Sequence, residues 1–534
     1  MPRATLEYLS LGWTRRHIRS GRMSRREFVQ LALATGVTAV MAEDLFVAEA
    51  RAAPKAGGSF KAAIGQGAST DSLDPTTWGT NFYTSEFGTL ISDQLLNIDQ
   101  KNALVPRLAE SFTTESGATK WVFKLRKGVT FLNGKTMTAD DVVASINMHR
   151  GPDTKSGSKA GLQIVDDIKA DGDNVIFTLK SGSADFGYEV ASYRLSIFPS
   201  KDGVVDWQSG GCGAFKVTTF DPGVTIQATR NTDYWDAANV YFDEVEALVV
   251  SDPVARSNAL VSNAVHYIDR CDLKTIGLLQ ANPDIEIDNV TGFSHLVATI
   301  NTAIAPFDNP NVRMALKYAF DREELLKKVL LGFGTVGNDN PFAPTIKYAI
   351  DPEPRHRFDP AKAKEYLAKA GLDSLKIDLS TSDAAFAGAL DAAQLMKASA
   401  AQAGIEINIV SEAADSYWDV VWMKKPFMLS YWGGRSAIDT MATQAYAADA
   451  AWNDTFWKHP RFNELLVAAR AETDEAKRGA MYAEMQQLLH DDGGQIVLAF
   501  NNYVTAHSKA VAHGDLNSNL DHDGSYMWRR WWFA

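Results

Sequence analysis

The sequence predicts an α/β protein of two lobes, and three observations lead to this prediction. The chain has 534 residues, of which 46% are apolar and 22% charged, a globular composition in a chain too long for one small core. Its first part has the pattern of short strands separated by turns, and this pattern changes near residue 295. Beyond that point strand, helix and strand follow one another in the order that builds a parallel sheet.

The first part of the chain is predicted to be rich in strands. Lys127-Gly128 and Asn133-Gly134 are turn signals inside the alternating segment 119–137, which predicts a strand pair. Asp221-Pro222-Gly223 marks the tip of a hairpin over 213–231. Further strands are predicted at 59–66 and within 173–186.

Capping patterns start two of the predicted helices. Thr138 is an N-cap, and Asp141 three residues later completes a capping box. Asp359 and Pro360 form an N-cap and first-turn pair, and Gly371 ends that helix. The other elements predicted in the second part are a strand at 295–302, a helix over 309–332, a strand at 375–381, a helix over 384–404, a strand at 405–410, a helix pair over about 460–490 and a strand from 494 onward.

These elements predict four segments. Residues 1–52 are a leader, 53–295 the first lobe, 296–499 the second lobe, and 500–534 a segment that returns to the first lobe. Ligands of such proteins lie in the crevice between the lobes, so we expect the binding site there.

The leader has the pattern of a twin-arginine export signal. Ser24, Arg25 and Arg26 precede an apolar run over 28–41 and an A-x-A site that ends at Ala52. The run is too short to span a bilayer. We therefore expect cleavage near Ala52 and a periplasmic protein; the alternative is a basic amphipathic helix at the N-terminus.

Charge and cysteine content exclude some functions. A net charge of −12 argues against a nucleic-acid partner, which would need clustered lysine and arginine. The two cysteines, Cys212 and Cys271, do not define a metal site, and a disulfide between them remains open in an oxidising compartment. We expect neither a cofactor nor a metal.

No set of residues in the sequence has the pattern of a catalytic site, so we do not expect an enzyme. The tail holds His513 and His522 with Asp515, Asp521 and Asp523, which predicts a solvated polar loop, with a metal site as the alternative. The last residues, WRRWWFA, are expected to pack back on a lobe with Arg529 or Arg530 over an indole.

Six strings resemble those of one protein family. They are SLDPTTW, LVPRLAESF, WVFKLRKGVTFLNGKTMTADDVV, GCGAFKVTTFDPGVTIQATRNTDYWD, NVRMALKYAFDREELL and FDPAKAKEYLAKAGL. Together they resemble the dipeptide- and oligopeptide-type solute-binding proteins of ABC importers, extracellular solute-binding family 5, over residues of about 60–510. The resemblance implies a type II-like, two-lobed, three-subdomain clamp that closes on a small solute. It also implies a monomer that delivers the solute to ABC permease transmembrane subunits.

The resemblance draws attention to LSYWGGRSAID, residues 429–439. In peptide-binding members a tryptophan here is followed three residues later by an aspartate that pairs with the peptide α-amino group. Trp432 matches the tryptophan, but Arg435 occupies the position of the aspartate and Gly433 lies between them. A guanidinium suits a carboxylate or phosphate, so we expect a ligand with an anionic or oxygen-rich group here, or one without a free amine. Two alternatives remain: Arg435 pairs with Asp439, or Asp439 itself pairs with a ligand amine.

Four further residues are candidates for the cleft. Ser69 and Thr70 precede a segment where family members often contact the ligand, although they are also ordinary loop residues. Trp78 and His149 lie near other segments that line the cleft in the family. We expect an ABC solute receptor for a peptide-like, opine-like or sugar-acid ligand. The alternatives are a sensor for a membrane receptor, a binder of chelated nickel or haem, and a secreted hydrolase on a related scaffold.

Overall fold

The computed structural model describes residues 54–78, 82–414 and 416–534, together with Glu27. The predicted leader and its cleavage site therefore lie outside the described residues. Within the described part of the chain, no helix combines the length and the apolar character needed to cross a bilayer.

A large mixed sheet runs through both lobes. Its first half holds the predicted hairpin and the strand Ser59–Ile64, which lies parallel to Glu244–Val249. Its second half holds the predicted strand-helix-strand unit, in which Leu375–Thr381 lies parallel to Ile405–Ser411. The order across the sheet is Phe215–Asp221, Thr225–Arg230, Glu244–Val249, Ser59–Ile64, Tyr267–Ile268, Gln495–Ser508, Ile285–Ile300, Phe427–Trp432, Leu375–Thr381 and Ile405–Ser411, and Gly334–Val336 also pairs with Gln495–Ser508.

Two long antiparallel strands, Ile285–Ile300 and Gln495–Ser508, join the lobes; we call them the crossing strands. Their register runs from Ile285 opposite Ser508 to Thr299 opposite Gln495, with irregularities between Thr291 and Val297. The predicted boundaries near 295 and 500 both fall inside this pair. The chain therefore passes between the halves of the sheet within strands and not through loops, so the exact limits of the lobes stay a prediction.

A separate antiparallel sheet forms a subdomain of the first lobe. Its order is Ala109–Thr114, Lys120–Leu125, Asn174–Leu179 and Val165–Asp171, and the helix Ala139–Asn147 packs on it. The predicted strand pair over 119–137 is only half correct. After Leu125 the chain turns, and a single bridge joins Thr130 to Thr136.

The C-terminal segment packs into the core of the first lobe. Trp528 and Trp531 are buried against Phe60, which lies on the first strand of the chain. Among the described residues, no guanidinium of the tail lies over an indole. Arg529 lies over the ring of Tyr526 instead, with 4.4 Å between its Cζ and the ring centroid.

Local capping explains where several helices begin and end. Thr138 and Asp141 form the predicted capping box, and Asp359 accepts a hydrogen bond from the Lys362 amide. The predicted helix over 309–332 is instead two helices. Asp321 breaks it because its side chain caps a new helix by accepting from the Glu324 amide.

The helix predicted over 384–404 starts later, at Ala389, and the pair over 460–490 is as expected. In the described residues the α-helices span Phe82–Ile91, Ala139–Asn147, Phe186–Val190, Pro253–Val261, Ile276–Gln280, Pro310–Ala319, Arg322–Lys328, Pro360–Lys369, Ala389–Ala401, Tyr417–Val420, Ile438–Ala445, Pro460–Ala471, Glu475–Asp492 and Met527–Arg530. The remaining short strands are Leu96–Ile98, Leu104–Pro106, Ser200–Lys201, Val204–Val205, Val511–Ala512 and Trp532–Phe533.

Candidate functional site

The two lobes contact each other along the cleft. Tyr482 of the second lobe donates its hydroxyl to Asp185 of the first at 3.0 Å, and Arg478 lies 3.4 Å from the other oxygen of that carboxylate. Beside them the Ala184 amide donates to the Arg470 carbonyl at 2.7 Å. The two lobes therefore meet at Asp185 in this structure, and we call this the closure contact.

The stretch 429–439 lies at this contact. It begins on the strand Phe427–Trp432 and enters the helix Ile438–Ala445, so it is more regular than its sequence indicates. Between them the chain packs tightly on a crossing strand. A Cβ on Gly434 would lie 2.2 Å from the Cβ of Phe293, so only glycine fits here.

Trp432 points into the second lobe. Its side chain is only 5% exposed, and its indole N–H donates to Asp454 at 3.1 Å. Trp422 donates to the same carboxylate oxygen at 3.2 Å. Burial raises the pKa of Asp454 to about 6, although the two indole donors act to lower it. The expected stacking surface on Trp432 is therefore largely covered.

The accessible aromatic surface belongs to its neighbours. Tyr431, Trp418 and Trp452 are each about 40–50% exposed. Trp418 contacts Tyr431 directly, and Trp422 contacts both Trp418 and Trp452. Trp432 also contacts Trp452. We call Trp418, Tyr431 and Trp452 the aromatic face. No sequence motif marks it, because the three rings come from separate elements and only the fold brings them together.

Arg435 is half-buried and does not pair with Asp439. Its Nη1 donates to the carbonyls of Gly433 and Gly434 at 2.6 and 3.0 Å, which curls the side chain back on its own loop. Among the described residues it forms no ion pair. Its pKa is lowered, first by burial and then by the like charge of Arg194, while Glu189 acts in the opposite direction.

Arg194 and Glu189 of the first lobe complete this group, and the sequence did not point to either. Glu189 is deeply placed between the lobes, and burial raises its pKa although Arg435, Arg194 and a hydrogen bond with Thr440 all lower it. Arg194 donates to the Trp78 carbonyl at 3.2 Å. Two guanidinium groups and one carboxylate therefore meet where the lobes close; we call Glu189, Arg194 and Arg435 the charged group.

Asp439 is committed to a partner of its own lobe. Arg470 donates to both of its oxygens, at 3.0 and 3.2 Å. Burial raises the pKa of Asp439 to about 6 against the effect of Arg470, and the nearby charge of Asp185 adds to the rise. A ligand amine would have to displace Arg470 to reach this carboxylate.

Known proteins resemble this chain in sequence. A model of the bacterial extracellular solute-binding proteins, family 5, matches residues 103–454. The chain belongs to this family. The glutathione-binding protein GsiB of Pectobacterium atrosepticum is 25% identical over 90% of this chain and 94% of its own. The probable ABC transporter periplasmic-binding protein SapA of Escherichia coli K12 is 24% identical over 78% and 83%.

Solved structures of family 5 proteins share the fold. The ABC transporter-associated periplasmic binding protein DppA of Helicobacter pylori, in complex with the peptide STSA, superposes with a TM-score of 0.71 at 25% identity, over 90% of this chain and 98% of that one. The binding protein AgaA of A. tumefaciens R10, in complex with agropinic acid, superposes with a TM-score of 0.71 at 22% identity, over 89% and 99%. The chain is therefore a two-lobed solute-binding clamp, in a family of extracytoplasmic ABC transporter components and not of enzymes.

Two residues expected to line the cleft of this family 5 protein have buried side chains. Trp78 is 1% exposed, and its indole donates to the Ser72 carbonyl, so its ring belongs to the core. His149 is fully buried, with Nδ1 2.6 Å from the Ser156 hydroxyl. Burial lowers the pKa of His149 to about 4, which keeps the ring neutral. Contact with a solute stays a prediction for both, and the Trp78 carbonyl accepts a hydrogen bond from Arg194.

Ser69 and Thr70 lie on an exposed turn. This turn packs on the hairpin tip, where a Cβ on Gly223 would lie 2.8 Å from the Ser69 amide nitrogen. Contact with a solute stays a prediction for both.

The cysteines of this family 5 protein are both free and buried, in different core clusters. Cys212 lies beside Ser92, with 3.8 Å between Sγ and Oγ. The disulfide left open by the sequence is therefore not formed.

Proposed function

We propose that this protein is the receptor of an ABC importer for an anionic, peptide-like or amino-acid-conjugate solute of the opine type. It captures the solute between its lobes and delivers it to the permease. The observation that carries the proposal is the position of Arg435, which lies at the closure contact without an ion pair among the described residues.

The charged group favours an anion. Arg435 has no ion pair among the described residues, so a solute carboxylate would compensate its charge. A guanidinium offers donors in a planar fork that matches a carboxylate, and it keeps its charge when water is excluded. Nη1 of Arg435 donates to two loop carbonyls, so a small rotation would free it for the solute.

The site offers no free carboxylate for a peptide amine at the position where peptide-binding relatives provide one. Arg435 occupies that position, and Asp439 is held by Arg470. The aromatic face offers exposed ring surfaces for stacking, a common feature of pockets for small organic solutes.

Relatives support this chemical class. One is named for glutathione, a peptide, and a solved neighbour holds agropinic acid. Export by the twin-arginine signal, action as a monomer and capture without covalent chemistry complete the proposal.

Binding measurements on paired ligands test it. Calorimetry and thermal shifts would compare dipeptides, N-blocked dipeptides, opines and their carboxyl-amidated forms. We expect tight binding that survives blocking of the amine and is lost on amidation of the carboxylate. Arg435→Gln should weaken binding roughly 10–100-fold, the value of a charge-assisted hydrogen bond.

Arg461→Gln is the matched control, because Arg461 is an exposed arginine of the second lobe that pairs with Glu484. It should leave affinity unchanged. Tight binding that requires a free amine and survives Arg435→Gln would contradict the proposed solute class.

A further inference from the structure

Three side chains converge beside the crossing strands, outside the closure contact. Asp288 lies on one crossing strand, opposite Thr505 of the other. His507 follows Thr505 by two residues, so Asp288 and His507 are diagonal neighbours on the same face of the sheet. His513 arrives from the C-terminal segment, just after the short strand Val511–Ala512. The ligand-type atoms of Asp288, His507 and His513 all lie within 4.8 Å of one another. We call these three residues the His-Asp cluster.

Backbone carbonyls set the tautomer of both imidazoles. Nδ1 of His507 lies 3.0 Å from the Ser508 carbonyl oxygen, and Nδ1 of His513 lies 2.7 Å from that of Gly514. A carbonyl only accepts, so each Nδ1 carries the hydrogen, and each ring places its other nitrogen, Nε2, on the side of the cluster. In metal sites, a hydrogen bond from the ring nitrogen that does not bind the metal fixes the orientation of a histidine ligand, and these carbonyl contacts are of that kind.

In the described part of the chain, His513 is hydrogen-bonded to Asp288, whereas the inner nitrogen of His507 and the second oxygen of Asp288 have no such contact. Nε2 of His513 is 3.2 Å from one oxygen of Asp288, and Nε2 of His507 is 3.6 Å from the other. Asp288 and His507 are 7% and 2% exposed, and among the described residues Oδ2 of Asp288 and Nε2 of His507 lack a hydrogen-bond partner. A lone pair on His507 Nε2 that faces the unpartnered oxygen of this buried carboxylate repels it unless a positive charge lies between them.

The surroundings supply no fixed cation. Among the described residues, no lysine or arginine lies within ion-pair distance of Asp288.

Two other groupings of histidine and aspartate differ on this point. In one, His522 contacts Asp269, and Arg256 and Arg270 also lie within 4 Å of that carboxylate. In the other, His356 and His490 lie beside Asp491, whose side chain is more than half exposed, and His356 also pairs with Asp339, which already binds Arg322. Fixed guanidinium groups compensate Asp269 and Asp339, and solvent reaches Asp491.

We propose that Asp288, His507 and His513 bind a divalent metal ion of the zinc type. Two imidazole nitrogens and one carboxylate are a usual zinc ligand set, and ligand atoms around a tetrahedral zinc lie about 3.3 Å apart, close to the distances found here. A cavity of about 430 Å³, lined by His513, Gly514, Asn289 and Thr291 among others, adjoins the cluster. It gives the ion an entry path and leaves a fourth coordination position open to water.

The location gives the ion a mechanical role. Asp288 and His507 lie on the two strands that join the lobes, and His513 belongs to the segment that closes the core of the first lobe. Bound metal would clamp the first-lobe ends of the crossing strands to the C-terminal segment. The inference does not depend on the nature of the solute.

Metal titration of the tag-free protein, purified after treatment with a chelator, tests the proposal. Zinc titrated by calorimetry should bind at one equivalent and raise the melting temperature. Cobalt should give the visible absorption of a tetrahedral nitrogen-oxygen site. His513→Gln and Asp288→Asn should each weaken zinc binding by more than the roughly 10–100-fold associated with outer-shell partners.

His513 is the safer substitution because it is partly exposed, so His513→Gln is expected to fold, which circular dichroism would check. His459→Gln, at a histidine outside all three groupings, is the matched control and should leave zinc binding intact. The proposal is overturned if the wild type binds no zinc, or if folded His513→Gln binds it as tightly as the wild type.

Discussion

The indole N–H of Trp432 donates to the carboxylate of Asp454, 3.1 Å away, and both side chains are buried. Trp422 donates to the same oxygen. This carboxylate therefore positions two tryptophans that support the exposed rings of the aromatic face. It does so at an electrostatic cost, because burial raises its pKa to about 6.

Asp454→Asn should become more favourable to stability, relative to the wild type, as the pH rises from acidic to neutral. An acid whose folded pKa is raised contributes stability that is present below its unfolded pKa, near 4, and lost as pH rises through about 6. The asparagine oxygen still accepts from the indoles but never ionises. Between pH 4 and 7.5 the difference in unfolding free energy, variant minus wild type, should shift in favour of asparagine by up to about 3 kcal/mol.

Urea denaturation at several pH values measures this difference. Asp474→Asn is the control. Backbone hydrogen bonds from Lys477 and Ala476 lower the pKa of this exposed N-cap, so the difference in unfolding free energy should shift against asparagine as the pH rises. A pH profile of Asp454→Asn parallel to that of the wild type would show that Asp454 is ionised in the fold without penalty.

Tyr482→Phe should weaken closure of the lobes. The substitution removes the donor that binds Asp185 across the cleft and leaves a buried carboxylate with less compensation. A lost hydrogen bond to a charged group costs about 1.5–3 kcal/mol, so solute affinity should fall about 10–150-fold. Calorimetry measures the affinity, and small-angle scattering measures the fraction of closed protein.

Closure should also depend on pH. Burial raises the pKa of Asp185 in the closed form against the effects of Arg478 and Tyr482, so this carboxyl binds a proton more readily when the lobes are closed. Closure should therefore strengthen as pH falls, and more steeply in Tyr482→Phe, because the lost hydrogen bond raises this pKa further.

Tyr417→Phe is the matched control for closure, because this buried hydroxyl donates to the Leu429 carbonyl within the second lobe at 2.7 Å. It should reduce stability without changing the balance between open and closed forms. Equal affinities for Tyr482→Phe and Tyr417→Phe would rule out a role for the Asp185 contact in closure.

Gly434→Ala should displace the loop that carries Arg435. Its Cβ would lie 2.2 Å from the Cβ and 2.3 Å from the carbonyl oxygen of Phe293, and a strand backbone cannot yield cheaply. Overpacking of this kind costs about 1–3 kcal/mol, so the melting temperature and the solute affinity should both fall.

Gly433→Ala is the matched control one residue away, because the nearest atom to its Cβ would be Nη1 of Arg435 at 3.9 Å. It should be close to neutral in stability. If both alanine variants melt and bind alike, close packing on Phe293 does not hold the loop in place.

Replacing Arg25 and Arg26 together by lysine should block export. The export machinery recognises the arginine pair itself and not only its charge, so the precursor should stay in the cytoplasm. Cell fractionation measures location, and N-terminal sequencing of the exported protein should place its first residue near Ala53. Arg22→Lys, outside the pair, is the control, and unchanged export of the double variant would favour the basic amphipathic helix.

Features with a local cause were predicted well from sequence. The capping box at Thr138, the helix from Pro360 and the hairpin tip at Asp221 each depend on residues a few positions apart. Longer features were predicted less well. Nothing local shows that the helix over 309–332 stops at Phe320, or that residues 126–137 turn without forming a second strand.

The tail shows the same limit. His513 and His522 are close in sequence, and a solvated loop was the expectation. The structure instead buries Asp521, His522 and Asp523 and assigns the two histidines to different clusters. Their partners, Asp288 and Asp269, lie more than 200 residues away in the chain, where periodicity carries no information about them.

The sequence by itself determined the family, the order of elements and the unusual arginine at position 435, because these depend on residue identity and on neighbours along the chain. Only the tertiary structure decided what Arg435 faces. Asp439 pairs with Arg470, and Glu189 and Arg194 reach Arg435 from the other lobe. The physical reason is that charge and burial act through space, and the closed lobes bring together side chains that the sequence keeps far apart.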